Sequence, residues 1–256
     1  MCGRYAASAE MAELVEEFDV DEVTDRPEAP SWNVAPTDPV PAIVERLPKP
    51  DPEAPAPSGP APTPVRKLVQ LRWGLVPSWA KDPRGGARLI NARFETVAEK
   101  PSFRKAFASR RCLLPADGYF EWYAEQAQQG QPKKGQQKQP YFIHRSDGEL
   151  LAMAGIYEFW RDDARPSGDP DAWLSTCSII TTTATDALGH LHDRMPMIVQ
   201  RDAWADWLDP RRTDPAEALE LLRVTDADLL AAHRVGAAVG NVRNNGPELV
   251  QPMELP

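Results

Sequence analysis

A chain of 256 residues with 42% hydrophobic residues and eight tryptophans can bury a substantial core, as one large domain or two small ones. Its longer apolar runs, such as residues 150–157, are far too short to cross a bilayer, and no charged-then-apolar signal opens it. A net charge of −9 argues against a nonspecific nucleic-acid coat, and three cysteines without CxxC spacing argue against a disulfide framework or a zinc site.

A reduced cytoplasm is the expected setting. The charge is uneven. Residues 9–29 carry nine acids and one base, and residues 202–228 carry eight acids and three bases. Together they hold −13, which leaves +4 for the rest of the chain. Both stretches read as amphipathic helices with acids facing water, and a locally basic groove elsewhere is permitted without being indicated.

The chain opens Met1-Cys2-Gly3-Arg4-Tyr5. Initiator methionine is commonly removed before a small residue, so the mature protein is expected to begin at Cys2. Its α-amine and thiol then sit on adjacent carbons, with unperturbed pKa values of about 7.7–8.0 and about 8.5, both partly active at neutral pH. Such a 1,2-aminothiol condenses with an aldehyde: the amine forms a Schiff base and the thiolate closes it to a thiazolidine. It can equally attack an amide, with its own amine as base. The plainer alternative is a small buried hydrophobe near a strand start.

Ser8 is placed to cap a first helix whose apolar face is Met11, Leu14, Val15 and Phe18. Residues 27–41 are proline-punctuated and extended, and 48–64 are a proline-rich, solvated insertion. Strands are predicted over 42–46, 67–73, 111–114, 119–123, 141–145, 151–157, 177–182 and 197–199. Helices are predicted around 102–109, 184–190, 202–208, 214–222 and 226–232. Further insertions fall at 124–139 and 161–172, and none marks a boundary, so one domain over 1–256 is expected. The Ser146-Asp147-Gly148 turn predicts a hairpin of 141–145 with 151–157. Strands linked this way, without βαβ alternation, point to an α+β fold: a curled sheet with peripheral helices.

Four stretches are dense in residues that a core alone does not require. The first is Cys2-Gly3-Arg4. In the second, residues 89–96 (LINARFET), an extended backbone sets Asn91 and Arg93 on one face and Ile90 and Ala92 on the other. In the third, residues 116–122 (ADGYFEW), alternation groups Tyr119, Glu121 and Tyr123 opposite Phe120 and Trp122, so Glu121 is a carboxylate among aromatics. The fourth, residues 189–196 (GHLHDRMP), is a helix exit with titratable groups, where His190 competes with His192.

MCGRY, WNVAPT (32–37), RWGLVPSWA (72–80), INARFET, DGYFEW and HDRMP, in that order, resemble the SOS-response-associated peptidase (SRAP) family, which shields abasic sites in single-stranded DNA. The likeness runs from Met1 to GNVRNNGPELV (240–250), apart from the insertions. It implies a curled, largely antiparallel, barrel-like α+β fold. It further implies a thiazolidine between Cys2 and the opened sugar aldehyde, with Asn91, Glu121 and His192 around it. The chemistry suits these types. A half-buried Glu121 would move the proton that ring opening needs, His192 would stabilise the opened sugar or serve reversal, and Asn91 would aim the nucleophile.

Arg4, Arg93 and Arg194, inside the motifs, are the expected phosphate ligands, and the likeness adds Trp73 and Pro36 to the DNA path. Arg72 has no such support. Trp32 and Trp79 read as core residues, as do Cys112 and Cys177, while His144 and His233 read as surface or packing residues. Blander roles stay open: Glu121 paired with Arg93, His192 as a helix cap, Asn91 in a turn. A monomer without metal or cofactor is expected. The competing classes are an N-terminal amidohydrolase, a peptidase acting on its own Met1, and a non-covalent DNA-binding module.

Overall fold

The computed structural model describes residues 2–25, 29–48, 62–123, 138–184, 193–223 and 229–253. The strands are β1 Tyr5–Ala7, β2 Glu22–Val23, β3 Ser31–Val34, β4 Pro39–Arg46, β5 Val65–Trp73, β6 Asn91–Arg93 and β7 Arg111–Ala116. They continue as β8 Gly118–Tyr123, β9 Gln139–Arg145, β10 Leu151–Arg161, β11 Trp173–Thr183, β12 Arg194–Pro196 and β13 Leu230–Arg234. Among the described residues four short helices accompany them: α1 Met11–Glu17, α2 Arg104–Ser109, α3 Trp204–Leu208 and α4 Pro215–Glu220.

Five strands close into a barrel in the order β11-β10-β7-β4-β5. Neighbours run antiparallel, and an odd strand count cannot alternate all the way round, so one seam must be parallel. That seam is β5 on β11, through Thr176↔Arg72 and Cys177↔Trp73. Side chains alternate across the wall. Val40, Ala42, Val44, Leu71, Trp73, Cys112, Leu114, Met153, Tyr157, Cys177 and Ile179 share the interior core. Ile43, Leu68, Leu113, Ala154, Ile156 and Ile180 face outward onto Leu14, Phe107, Trp204, Trp207 and Ala218 of the four helices. Gly155 points inward, where a Cβ would lie 2.7 Å from Cys112 Sγ.

The second sheet, β13-β9-β8-β1-β3, is antiparallel. One face, with Tyr5, Val34, Tyr119 and Ile143, continues the barrel core. The other, with Ala6, Phe120 and Phe142, packs on Val235, Val239 and Leu249 near the C-terminus. The chain crosses from barrel to sheet at Asp117, whose carboxylate accepts from Ser8 N at 2.6 Å and Ser8 Oγ at 3.0 Å. Ser8 is therefore spent there. The helix-capping position falls to Glu10, whose side chain makes no capping bond.

The curled α+β architecture is as expected, with several local corrections. The 146–148 turn does form, with Gly148 at φ +81 and its N–H donating to Arg145 O at 3.2 Å. It does not join a hairpin: β9 pairs with β8 and β13, and β10 with β7 and β11, so the turn carries the chain between sheets. Of the predicted 226–232 helix, residues 226–228 lie outside the described residues and residues 230–232 belong to β13 instead, because the edge of β9 offers residues 230–234 a full ladder of partners. The strand expected at 197–199 sits at Arg194–Pro196 instead, leaving a single bridge, Met153↔Ile198. The 184–190 helix and most of the 48–64 and 124–139 insertions lie outside the described residues. No helix among the described residues is long and apolar enough to cross a membrane.

Arg111, 3% exposed, ties two helix ends to the barrel. Its guanidinium donates to the carbonyls of Phe107, Ala108, Trp207, Asp209 and Arg212 at 2.7–3.1 Å. These include last-turn carbonyls of α2 and α3, which have no intrahelical donors. Arg111→Ala is expected to cost about 3–5 kcal/mol by orphaning them, read as a melting point lower by roughly 10 °C. A wild-type melting curve would show that water replaces the guanidinium without penalty.

Candidate functional site

The start of the chain is laid along β8. Phe120 N–H donates to Arg4 O at 2.9 Å, and Tyr5 registers with Tyr119. Because the strands are antiparallel, stepping from Tyr119 to Glu121 on the same face moves back toward Cys2. From the other side β6, paired in parallel with β11 through Ile179↔Asn91, brings up Asn91. Its Nδ2 donates to Cys2 O at 2.8 Å, and its buried Oδ1 has no partner among the described residues. Ala92 is buried and Arg93 exposed, as the extended reading requires. Tyr119 and Glu121 likewise face away from Phe120 and Trp122.

Cys2 is fully buried. Burial pushes its thiol far above the ordinary cysteine range, the Glu121 carboxylate adds to that, and the amino-terminal charge and a backbone hydrogen bond at Arg4 oppose it. Burial thus favours the neutral thiol, where the unperturbed value alone led to the expectation of a partly ionised one. Glu121, 5% exposed, has its pKa pushed up to about 7. Desolvation is the main cause, the terminal amine pulls the value down, Asp193 raises it and Lys138 lowers it. A carboxyl that exchanges its proton near neutrality thus lies beside a buried neutral thiol.

His192 lies outside the described residues. Its neighbour Asp193 reaches Glu121 electrostatically, and Asp193 O accepts from Ala184 N–H at 3.0 Å. Arg194 sits on β12 with its side chain 11% exposed. Nη1 and Nη2 grip Glu95 at 2.7 and 2.9 Å, which holds that carboxyl below its usual range. Arg4 is partly buried, with Nη1 on Asn33 Oδ1 at 2.7 Å and Val239 O at 3.0 Å, and its guanidinium 5.9 Å from the Trp122 ring centroid. Arg93 makes no ion pair among the described residues, so the Glu121–Arg93 pairing is absent.

Two aromatic assignments change. Trp73 is fully buried, edge-on to Tyr5 at 5.1 Å, with Nε1 donating to Ile90 O at 2.9 Å. It buttresses the approach to β6 from inside the barrel and has no face to offer a base. Trp79, read as core, is instead 66% exposed on the loop before residues 83–90, beside Arg88 and Leu89. Sequence reasoning missed it because the Pro77-Ser78-Trp79-Ala80 run lacks any alternation that would report exposure. Pro36 is half-buried in a turn closed by Asp38 N–H to Ala35 O at 3.1 Å. Thr37 there adopts φ +79, rare for a β-branched residue, and is held by its N–H to Trp73 O at 2.8 Å.

Among the described residues no three His, Cys, Asp or Glu side chains converge as a metal site. A family model for the SOS response associated peptidase (SRAP) matches residues 1–242. The abasic site processing protein YoqW of Bacillus subtilis (strain 168) is 38% identical over 98% of this chain and 99% of its own. YedK of Escherichia coli (strain K12), named likewise, is 33% identical over 99% of this chain and 100% of its own. A protein from Bacteroides thetaiotaomicron solved by X-ray crystallography superposes with a TM-score of 0.76 at 25% identity, over 99% of this chain and 100% of that one.

Proposed function

The chain belongs to the SOS response associated peptidase (SRAP) family, and from that premise we propose that it captures abasic sites in single-stranded DNA as a covalent thiazolidine on Cys2 once Met1 is gone. The observation that carries this is the carboxyl of Glu121, poised at about 7 beside a buried, neutral Cys2 thiol. The two relatives above are named for processing abasic sites.

The abasic sugar is mostly a closed hemiacetal. Glu121 opens it by protonating the ring oxygen as the anomeric hydroxyl passes its proton to water, which frees the aldehyde. The Cys2 amine adds to that carbon, and loss of one water gives the imine. The thiol then adds across C=N: sulfur bonds to carbon and the thiol proton ends on nitrogen. No oxidant or reductant is needed. Because the thiol is neutral, its proton must leave as the bond forms, and ionised Glu121 is the base at hand. Asn91, bonded to Cys2 O, fixes the direction of attack, where orientation is worth far more than raw nucleophilicity. His192 serves reversal in this scheme, on the strength of the HDRMP motif. Lyase activity would follow from the imine, and peptidase activity would be confined to Met1.

For the DNA strand, Arg4, Arg93 and Arg194 take phosphates, Pro36 lies along the path, and Trp79 replaces Trp73 as the stacking face. One copy of the chain, acting as a single domain, meets one lesion. The deciding experiment is denaturing electrophoresis with a uracil-containing single-stranded oligonucleotide, with and without uracil excision. A slow-migrating adduct that requires excision is expected, and its absence would overturn the reading.

Non-covalent binding gives a second test. Arg93→Ala should lower the slope of log K against log salt by about 0.7, the counterions released by one single-strand phosphate contact. Trp79→Ala should weaken binding by roughly 1–3 kcal/mol with the slope intact, because stacking releases few ions. Anisotropy titrations across salt check both, and equal slopes for wild type and Arg93→Ala would remove Arg93 from the phosphate set.

A further inference from the structure

Arg4 is the first cation of the chain, yet its orientation is set by residues more than two hundred positions away. Asn33 on β3 is 3% exposed. Its Nδ2 donates to the carbonyls of Asn241 at 3.0 Å and Asn244 at 2.8 Å, and its Oδ1 accepts from Arg4 Nη1 at 2.7 Å. The carbonyl of Val239 accepts from the same Nη1 at 3.0 Å. Residues 239–245 thus form a strap across β3. Asn245 fastens it, with Oδ1 accepting from Trp32 N–H at 2.8 Å and Nδ2 donating to Pro30 O at 3.2 Å.

The arrangement pins one corner of a guanidinium. An Arg side chain is long and loses much rotamer freedom when ordered, so a pre-ordered guanidinium binds an anion with less entropy loss. Nη1 donates both hydrogen bonds, and the buried Nε has no partner among the described residues. With Trp122 below and Nη1 held, the remaining donors point in a fixed direction.

We propose that Asn33 is a positioning residue that couples the strap 239–245 to Arg4, so that Arg4 meets a DNA phosphate already oriented. This rests on the phosphate-binding reading of Arg4 given above. A purely structural Asn33 would cost stability when replaced and leave phosphate counting untouched. A positioning Asn33 changes the salt slope.

The test uses the full chain, anisotropy with an undamaged single-stranded oligonucleotide across salt, and the crosslinking assay in parallel. Arg4→Ala should weaken binding about tenfold and lower the salt slope by about 0.7, the loss of one charge-assisted phosphate contact. Asn33→Ala should move both quantities in the same direction, and Arg4→Ala/Asn33→Ala should be no weaker than Arg4→Ala alone. Asn245 is exposed, and Asn245→Ala should reproduce a smaller part of the slope change by loosening the strap. Melting curves show which variants fold, and if Asn33→Ala does not, Asn245→Ala decides.

A folded Asn33→Ala with the wild-type slope, losses that add in the double variant, or an unaltered slope in Asn245→Ala when it must decide, each overturns the coupling. Wild-type protein that binds the strand but forms no adduct with excised DNA would instead sink the crosslinking chemistry. The slopes would still decide the role of Asn33.

Discussion

Protein that retains Met1 or carries an N-terminal tag is expected to form no stable adduct with abasic single-stranded DNA, while untagged protein does. An amine acylated by a preceding residue cannot form the imine, and without the imine the thiol has nothing to close onto. Cys2→Ala keeps an amine but lacks the sulfur, so it too should give no stable adduct. Cys2→Ser should still form an imine, trapped by borohydride, with strand cleavage by β-elimination outlasting stable crosslinking. The tag acts on Glu121 as well. The charge of the Met1 amine is the largest influence holding that carboxyl down, so a tag added before Met1, which carries that amine away, lets the pKa rise further. Stable adducts formed at the normal rate by tagged protein, in the electrophoretic assay, would eliminate the α-amine and point to another nucleophile such as a lysine.

Much of this site is legible in the sequence, because short motifs carry local geometry. LINARFET dictated an extended run with Asn91 and Arg93 on one face, and ADGYFEW dictated Glu121 on the face opposite Trp122. What could not be read was which strands meet. Turn chemistry at Gly148 reports a reversal, and β9 and β10 nonetheless part into different sheets because each finds better partners elsewhere. Strands as short as β1, β6 and β12 have no period of their own and exist through their neighbours. Burial was equally hidden. Trp73 and Trp79 stand six residues apart in one motif, yet the first is sealed in the barrel and the second exposed. Full burial of Cys2, which favours a neutral thiol over the partly ionised one that unperturbed values suggest, is likewise a property of the assembled core. The tie from Asn33 to residues 239–245 spans the length of the chain, where no local pattern reaches.

Glu121→Gln is expected to make the protein more stable at alkaline pH and far slower at crosslinking. The stability half follows from linkage. The folded pKa of about 7 lies above the unfolded value of about 4.3, so the native state holds this proton more tightly. Its contribution is fully present below about pH 4.3 and is lost as pH rises through 7, where a buried carboxylate must ionise. Glutamine never ionises, so relative to wild type the variant should gain stability with rising pH, approaching roughly 4 kcal/mol above pH 8. At pH 4 the two should melt nearly together. The crosslinking half has the opposite sign: the same substitution removes the group proposed to open the sugar and take the thiol proton, an expected loss of ~10²–10⁴-fold in adduct formation. Melting curves from pH 4 to 9 and single-turnover crosslinking read the two halves separately. A flat stability difference would mean that Glu121 ionises in water rather than in the core. A wild-type crosslinking rate would assign the proton transfers to another group, with His192 first to be tried. If both effects appear, the protein keeps a carboxyl that weakens its fold at the pH where it acts, because burial that destabilises the ionised form is also what brings its pKa to neutrality.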